Sequence, residues 1–190
     1  MLPYTICFMK QSDNVLLLNR EKPSWMGMWN GIGGKIEPYE SPRESILREI
    51  AEETGIVPSP DTVRFKGLVT WSVDGNRVGG MYAYMAELPS DYRLETPIKT
   101  DEGILDWKKI HWILSPENRG VAYYIPKCIE TILFDPGCYE YRCWYRDGRL
   151  IRFETGITDE GAENIRDRQV IEERFLRRYF RENAISLSRK

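Results

Sequence analysis

Residues 41–55 write both ends of a helix into the sequence and make its two sides chemically opposite. Ser41 has a side-chain oxygen suited to the N-cap. Pro42 suits the first helical position, and Glu44 completes an S-x-x-E capping box. Gly55 stands where a left-handed C-terminal cap belongs. The helix is therefore expected from Pro42 to Thr54. Within it, Glu49, Glu52 and Glu53 are spaced i, i+3, i+4 and share one face, while Ile46, Leu47, Ile50 and Ala51 lie on the other. Such a helix has to rest on an apolar layer. Residues 3–9 and 14–20 read as two strands around the Gln11-Ser12-Asp13-Asn14 turn. Residues 63–72 and 78–88 form another pair, with the hairpin signal Asp74-Gly75-Asn76 between them. Residues 105–112 read as a further strand. Residues 122–133 read as a second helix, with Ile125, Ile129 and Leu133 in line. This order fits an α+β sandwich.

Three like charges on one helical face repel each other, and either solvent screens them or a cation offsets them. Clustered carboxylate oxygens suit a hard cation such as Mg2+ or Mn2+, which also accepts phosphate oxygens. A solvated acidic face without a ligand is the plainer alternative. The preceding loop, Trp29-Asn30-Gly31-Ile32-Gly33-Gly34-Lys35, is not a Walker loop. No Ser or Thr follows Lys35, and the upstream glycine spacing is wrong.

Taken together, Gly34, Glu40, Arg48, Glu49, Ile50, Glu52, Glu53, Gly55 and Ile56 spell G-x5-E-x7-R-E-U-x-E-E-x-G-U, where U is a bulky aliphatic residue. The stretch resembles the Nudix box, the signature of hydrolases that cleave nucleoside diphosphates linked to another group. The resemblance covers roughly residues 1–135 and implies a mixed sheet sandwiched between helices. It also implies a metal site made by the Gly34 carbonyl with Glu49, Glu52 and Glu53. Arg48 would orient a catalytic glutamate and Glu40 would support it. Glu102, with Asp101 as its rival, would complete the metal site. The proton acceptor would come from Glu49, Glu53 and Glu102.

The run from Trp29 to Lys35 is also similar to that of MutT-type oxidised-purine nucleoside triphosphatases, in which the matching Asn contacts the purine edge. That points to Asn30 for the base and to Lys35, Arg20 and Lys22 for phosphates. Phe8, Trp25 and Trp29 are the aromatic wall candidates. The aspartate pair that reads the base in some members has no counterpart near Ser115 to Gly120. The expected reaction is metal-dependent attack of water on phosphorus, turning a purine nucleoside triphosphate, 8-oxo-dGTP being one candidate, into monophosphate and pyrophosphate. Dinucleoside polyphosphates, nucleotide sugars and capped RNA remain alternatives, as does a non-catalytic nucleotide-sensing module.

Composition narrows the class further. The 190 residues are 42% hydrophobic and 29% charged, with a net charge of -2, so no global field favours nucleic acid or membrane as partner. No apolar run approaches the ~20 residues needed to span a bilayer. The first ten residues lack a basic stretch ahead of an apolar core, so they read as a strand rather than a signal peptide. The scattered Cys7, Cys128, Cys138 and Cys143 suit reduced thiols and a cytoplasmic location. The lone His111 reads as a packed or surface residue. A small nucleotide substrate and a monomer or homodimer are expected.

Residues 136–190 read as an extension. Asp135-Pro136-Gly137 marks a boundary turn, and residues 138–145 and 149–155 form a hairpin through Arg146-Asp147-Gly148. Thr158 is expected to cap a long polar helix. Its apolar line of Ile171, Phe175 and Tyr179 requires a surface to pack on, and Arg177, Arg178 and Arg181 suit its C-terminal end. From Cys128 to Arg189 there are eleven arginines and no lysine. Acidic residues nearly balance them, so a solvated helix is expected rather than an RNA-binding surface.

Overall fold

The computed structural model describes residues 2–164. The first unit is a hairpin of β1 (Tyr4–Gln11) and β2 (Asn14–Arg20), continued by the short β3 (Trp29–Asn30) on the edge of β2. The helix α1 (Pro42–Thr54) follows with both caps formed. Ser41 Oγ accepts from Glu44 N, the Glu44 carboxylate accepts from Ser41 N, and Gly55 sits at φ 72°. The antiparallel pair β4 (Val63–Val73) and β5 (Arg77–Glu87) comes next, then β6 (Ile98–Lys99) and β7 (Gly103–Lys109). Two helices, α2 (Ile110–Leu114) and α3 (Ile125–Phe134), precede the hairpin β8 (Tyr139–Arg146) and β9 (Arg149–Ile157).

Among the described residues, all nine strands join one mixed sheet in the order β6-β7-β2-β1-β5-β4-β8-β9, with β3 beside β2. Two contacts are parallel, β1 with β5 and β4 with β8. Alternation along the strands divides the core into two layers. Cys7, Met9, Leu16 and Leu18 pack with Ile46 and Ile50 of α1 on one face. Phe8, Val15, Leu17 and Met85 pack with Ile125, Ile129 and Ile132 of α3 on the other. The α+β sandwich is thus realised, with helices on both faces.

Three local readings need correction. The strand expected over residues 105–112 ends at Lys109, and α2 begins at once. Ile110, Ile113 and Leu114 follow helical spacing and turn together onto the α3 layer; His111 is exposed there. The helix expected from Ala122 starts at Ile125, because Pro126 fits only a first turn, where its missing N–H costs nothing. Finally, Asp159 rather than Thr158 forms the cap of the turn Glu160–Glu163, its Oδ1 accepting from Gly161 N at 2.6 Å. The remainder of that expected helix, with Ile171, Phe175, Tyr179, Arg177, Arg178 and Arg181, lies outside the described residues.

The hairpin β8–β9 continues the sheet beyond β4. The approach depends on Gly67, at φ 110° within a bulge of β4, where a Cβ would fall 1.9 Å from the Tyr139 carbonyl oxygen. The turn leading in is fixed by Asp135 Oδ1, which accepts from Gly137 N at 2.7 Å and from the Tyr139 hydroxyl at 3.0 Å. The chain then returns to α1. Arg43 donates to Glu163, and Ala162 is buried in the α1 layer. All four cysteines are buried free thiols. No helix among the described residues is long and apolar enough to cross a membrane.

Candidate active site

The glycine loop and α1 meet because the loop is zipped onto β1. Cys7 N donates to Ile32 O at 2.7 Å and Thr5 N to Gly34 O at 2.9 Å. A Cβ on Gly34 would lie 2.4 Å from Glu49 Oε1, so the loop backbone lies directly against that carboxylate. Beside it, Arg48 holds the acidic face together. Its Nε and second terminal nitrogen grip both oxygens of Glu40, at 2.8 and 3.0 Å. The other terminal nitrogen donates to Glu49 at 2.9 Å and to Glu52 at 3.0 Å. The loop is tied in by a further bond from Arg48 to Lys35 O at 3.2 Å. The Glu40 carboxyl is held below its ordinary range by the Arg48 bond, whereas burial pushes Glu49 up.

The three glutamates are not equivalent. Glu52 is largely exposed, with 60% of its side chain in solvent, and Glu49 is mostly covered. Glu53 is 8% exposed and extends the apolar stripe of Ile46 and Ile50 by one more helical step. Its Oε2 has no hydrogen-bond partner among the described residues. Burial first, and then the charge of Glu49, push its pKa up to about 8. Gly33 N–H and the Arg20 charge offset that burial only in part, and a cation is a group that would relieve the rest.

The Gly34 carbonyl, the expected ligand, already accepts one hydrogen bond from Thr5 N on the β1 side. Carbonyls alternate sides along an extended chain. Gly33 O therefore faces away from β1, on the side where Gly33 N–H supports Glu53, and it accepts no described hydrogen bond. Glu49, Glu53 and the Gly33 carbonyl are the donors that fit a hard divalent cation. No three acidic, His or Cys side chains among the described residues converge as a ready-made cage. The donor set consequently needs the backbone oxygen together with water or phosphate oxygens, which suits Mg2+.

Glu102 reaches the same cleft from the loop before β7. Lys22 Nζ donates to it at 2.5 Å, and Arg20 lies 3.8 Å away. Asp101, Arg20 and Lys35 also line the cleft, while Lys22 reaches it through Glu102. One end of the cleft is therefore rich in acidic and basic groups.

The other end lies on the α3 face of the sheet. Asn30 forms its floor, with Oδ1 accepting from the Tyr124 hydroxyl at 2.6 Å and from Gly31 N at 3.0 Å. Only its amide N–H groups remain for a ligand. Trp25 stands over Tyr124 and against Tyr145, with ring centroids at 6.4 and 5.8 Å. Two expected wall residues are absent. Trp29 packs on the α3-side core instead, its ring 4.0 Å below the Lys108 ammonium, and does not line the cleft. Phe8 lies two residues beyond Ile6 along β1, fully buried under α3. Tyr124, Tyr145 and Trp71 line the cleft in their place. Nothing in the local pattern of the sequence marks them, because their neighbours in the cleft are remote in the chain. The whole cleft encloses about 1300 Å³, ample for a nucleotide.

Residues 2–123 match the family model of the NUDIX domain. The chain is 32% identical over 109 residues to the uncharacterised Nudix hydrolase YvcI of Bacillus subtilis (strain 168). That match covers 56% of this chain and 65% of that protein, just under two thirds of its length. It is 28% identical over 136 residues to the oxidized purine nucleoside triphosphate hydrolase of Mus musculus, covering 69% of this chain and 81% of that one. In fold it is similar to the crystal structure of a MutT protein from Bacillus halodurans, with a TM-score of 0.67 at 26% identity, covering 82% of this chain and 97% of that one.

Proposed function

Because the chain belongs to the Nudix family, we propose that it is a divalent-metal-dependent pyrophosphohydrolase of purine nucleoside triphosphates, 8-oxo-dGTP among them. The products are the monophosphate and pyrophosphate. The observation that carries this reading is the buried, partnerless carboxylate oxygen of Glu53 beside the free Gly33 carbonyl. The similarity to the mouse oxidized purine nucleoside triphosphate hydrolase supports the choice of base.

Glu49, Glu53 and the Gly33 carbonyl, with Glu52 and Glu102 nearby, would hold a divalent cation, which when bound would supply charge stabilisation at phosphorus and acidify a water. The protein residues do the rest. Arg48 fixes the direction of Glu49 through a bond of 2.9 Å. Glu49, so directed, and Glu102, which lines the same cleft, are the carboxylates placed to accept the proton of the attacking water. Arg20 and Lys35 at the charged end attract the phosphates. At the other end, the Asn30 amide donates to an acceptor on the base edge, while Tyr124 keeps its oxygen side locked.

A pyrophosphate-release assay over purine and pyrimidine triphosphates, nucleotide sugars and dinucleoside polyphosphates with Mg2+ tests the reading. Purine triphosphates are expected to lead. Asn30→Ala should lower the purine-to-pyrimidine ratio of kcat/KM by roughly 5- to 150-fold, the equivalent of about 1–3 kcal/mol for an unmatched polar partner. Turnover confined to nucleotide sugars or dinucleoside polyphosphates would overturn the substrate class, and no turnover at all would favour a sensing module.

A further inference from the structure

We infer that the C-terminal hairpin, through Tyr145, is a specificity-determining wall of the base pocket. The proposal rests on the reading of the cleft as a nucleotide site. The hairpin lies outside residues 2–123, the segment that matches the family model. It nevertheless pairs in parallel with β4, in a register that sets Cys143 beside Trp71 and Tyr145 beside Val73. Alternation along β8 places Tyr141, Cys143 and Tyr145 on the α3 face. Tyr141 is covered by the core, Cys143 lies buried in the cleft floor, and Tyr145 lines the cleft beside it. Adding β8 widens the apolar floor by one strand, about 4.8 Å.

Tyr145 does not lie loose at that edge. Its ring meets Trp25 edge-on at 5.8 Å with an interplanar angle of 65°. Trp25 is itself held at φ 65°, a conformation that bulky residues avoid, by a short loop clamped at both ends. Arg20 Nε donates to Ser24 O at 3.1 Å, and Met28 N donates to Trp25 O at 3.0 Å. Trp25 also contacts Tyr124, whose hydroxyl binds Asn30. The hairpin thus completes an aromatic enclosure whose polar tip is the Asn30 amide. The enclosure suits a flat bicyclic ring system, the size and shape of a purine, better than a single ring that leaves the added strand's width unfilled. Tyr145 meets the cleft through its ring, so the proposal assigns it to the choice of base and not to the attack on phosphorus.

The test uses the full chain carrying Tyr145→Ala, Tyr145→Leu or Tyr145→Phe. Each is assayed for kcat and KM with a purine and a pyrimidine triphosphate, with melting temperatures measured in parallel. Loss of the ring in the Ala and Leu variants should raise the purine KM by roughly tenfold or more, leave kcat within about twofold, and change the pyrimidine KM far less. Tyr145→Phe should stay near wild type. Leu keeps the apolar bulk of the site, so it serves if Ala unfolds the hairpin. A folded Leu variant with an unchanged purine KM, or one whose two substrates weaken equally, overturns the proposal. Quenching of tryptophan fluorescence by a non-hydrolysable purine triphosphate analogue separates the two claims. If wild type binds the analogue but hydrolyses no triphosphate, the proposed reaction fails. The wall then stands or falls on whether Tyr145→Leu weakens that binding.

Discussion

The Glu53 carboxylate concentrates the problem that the acidic helix poses. Its folded pKa of about 8 lies above the ordinary 4.5, so the folded state holds the proton longer than the unfolded chain does. The sign follows directly. With respect to this group the metal-free protein is most stable below about pH 4.5, loses stability as pH rises, and reaches the full penalty near pH 8. Glu53→Gln removes that penalty. In chelator it should match wild type at acid pH and melt higher at alkaline pH, by an amount on the order of a few kcal/mol. With Mg2+ the same variant should lose about a hundredfold or more in turnover, since a proposed ligand is gone. Thermal melts in chelator across the pH range and pyrophosphate release with Mg2+ check both halves. A variant that melts lower than wild type at alkaline pH would mean that the carboxylate is already paired there.

At the scale of elements, legibility depended on how local the signal was. The caps of α1 could be read because Ser41, Glu44 and Gly55 act within a few residues, and the same is true of the Asp74-Gly75 and Asp147-Gly148 turns. The parallel pairing of β4 with β8 could not, since it joins residues about seventy positions apart and depends on the single bulge at Gly67. The two kinds of feature should differ in energy. Ser41→Ala should cost about 1 kcal/mol, the usual value of an N-cap. Gly67→Ala drives a Cβ to 1.9 Å from the Tyr139 oxygen, in a backbone conformation that side chains rarely adopt, and should cost about 3 kcal/mol or more. Denaturant unfolding ranks the two, and amide exchange at Cys143 and Tyr145 should accelerate only in the Gly67 variant. Equal exchange in both proteins would mean that β8 docks without the bulge.

Across the whole molecule, the hairpin occupies what would otherwise be the open edge of β4. Removing it exposes a long strand with mostly buried side chains, a ready template for aggregation. We therefore expect a chain ending at Pro136 to melt lower than wild type or to aggregate, as followed by thermal melting and size-exclusion chromatography. A truncated protein that stays monomeric and melts unchanged would make residues 137–190 dispensable to the core. The sequence by itself determined the helix, its caps, the acidic face, the arginine among the glutamates and the glycine loop before them. These lie within one stretch of chain, where spacing alone dictates direction. Only the tertiary structure decided which glutamate is buried, which glycine carbonyl is free, that Trp29 and Phe8 leave the cleft, and that Tyr124 and Tyr145 enter it. Those outcomes turn on which strand lies beside which and on which way each residue of a pleated strand points, and such facts arise only when distant segments meet.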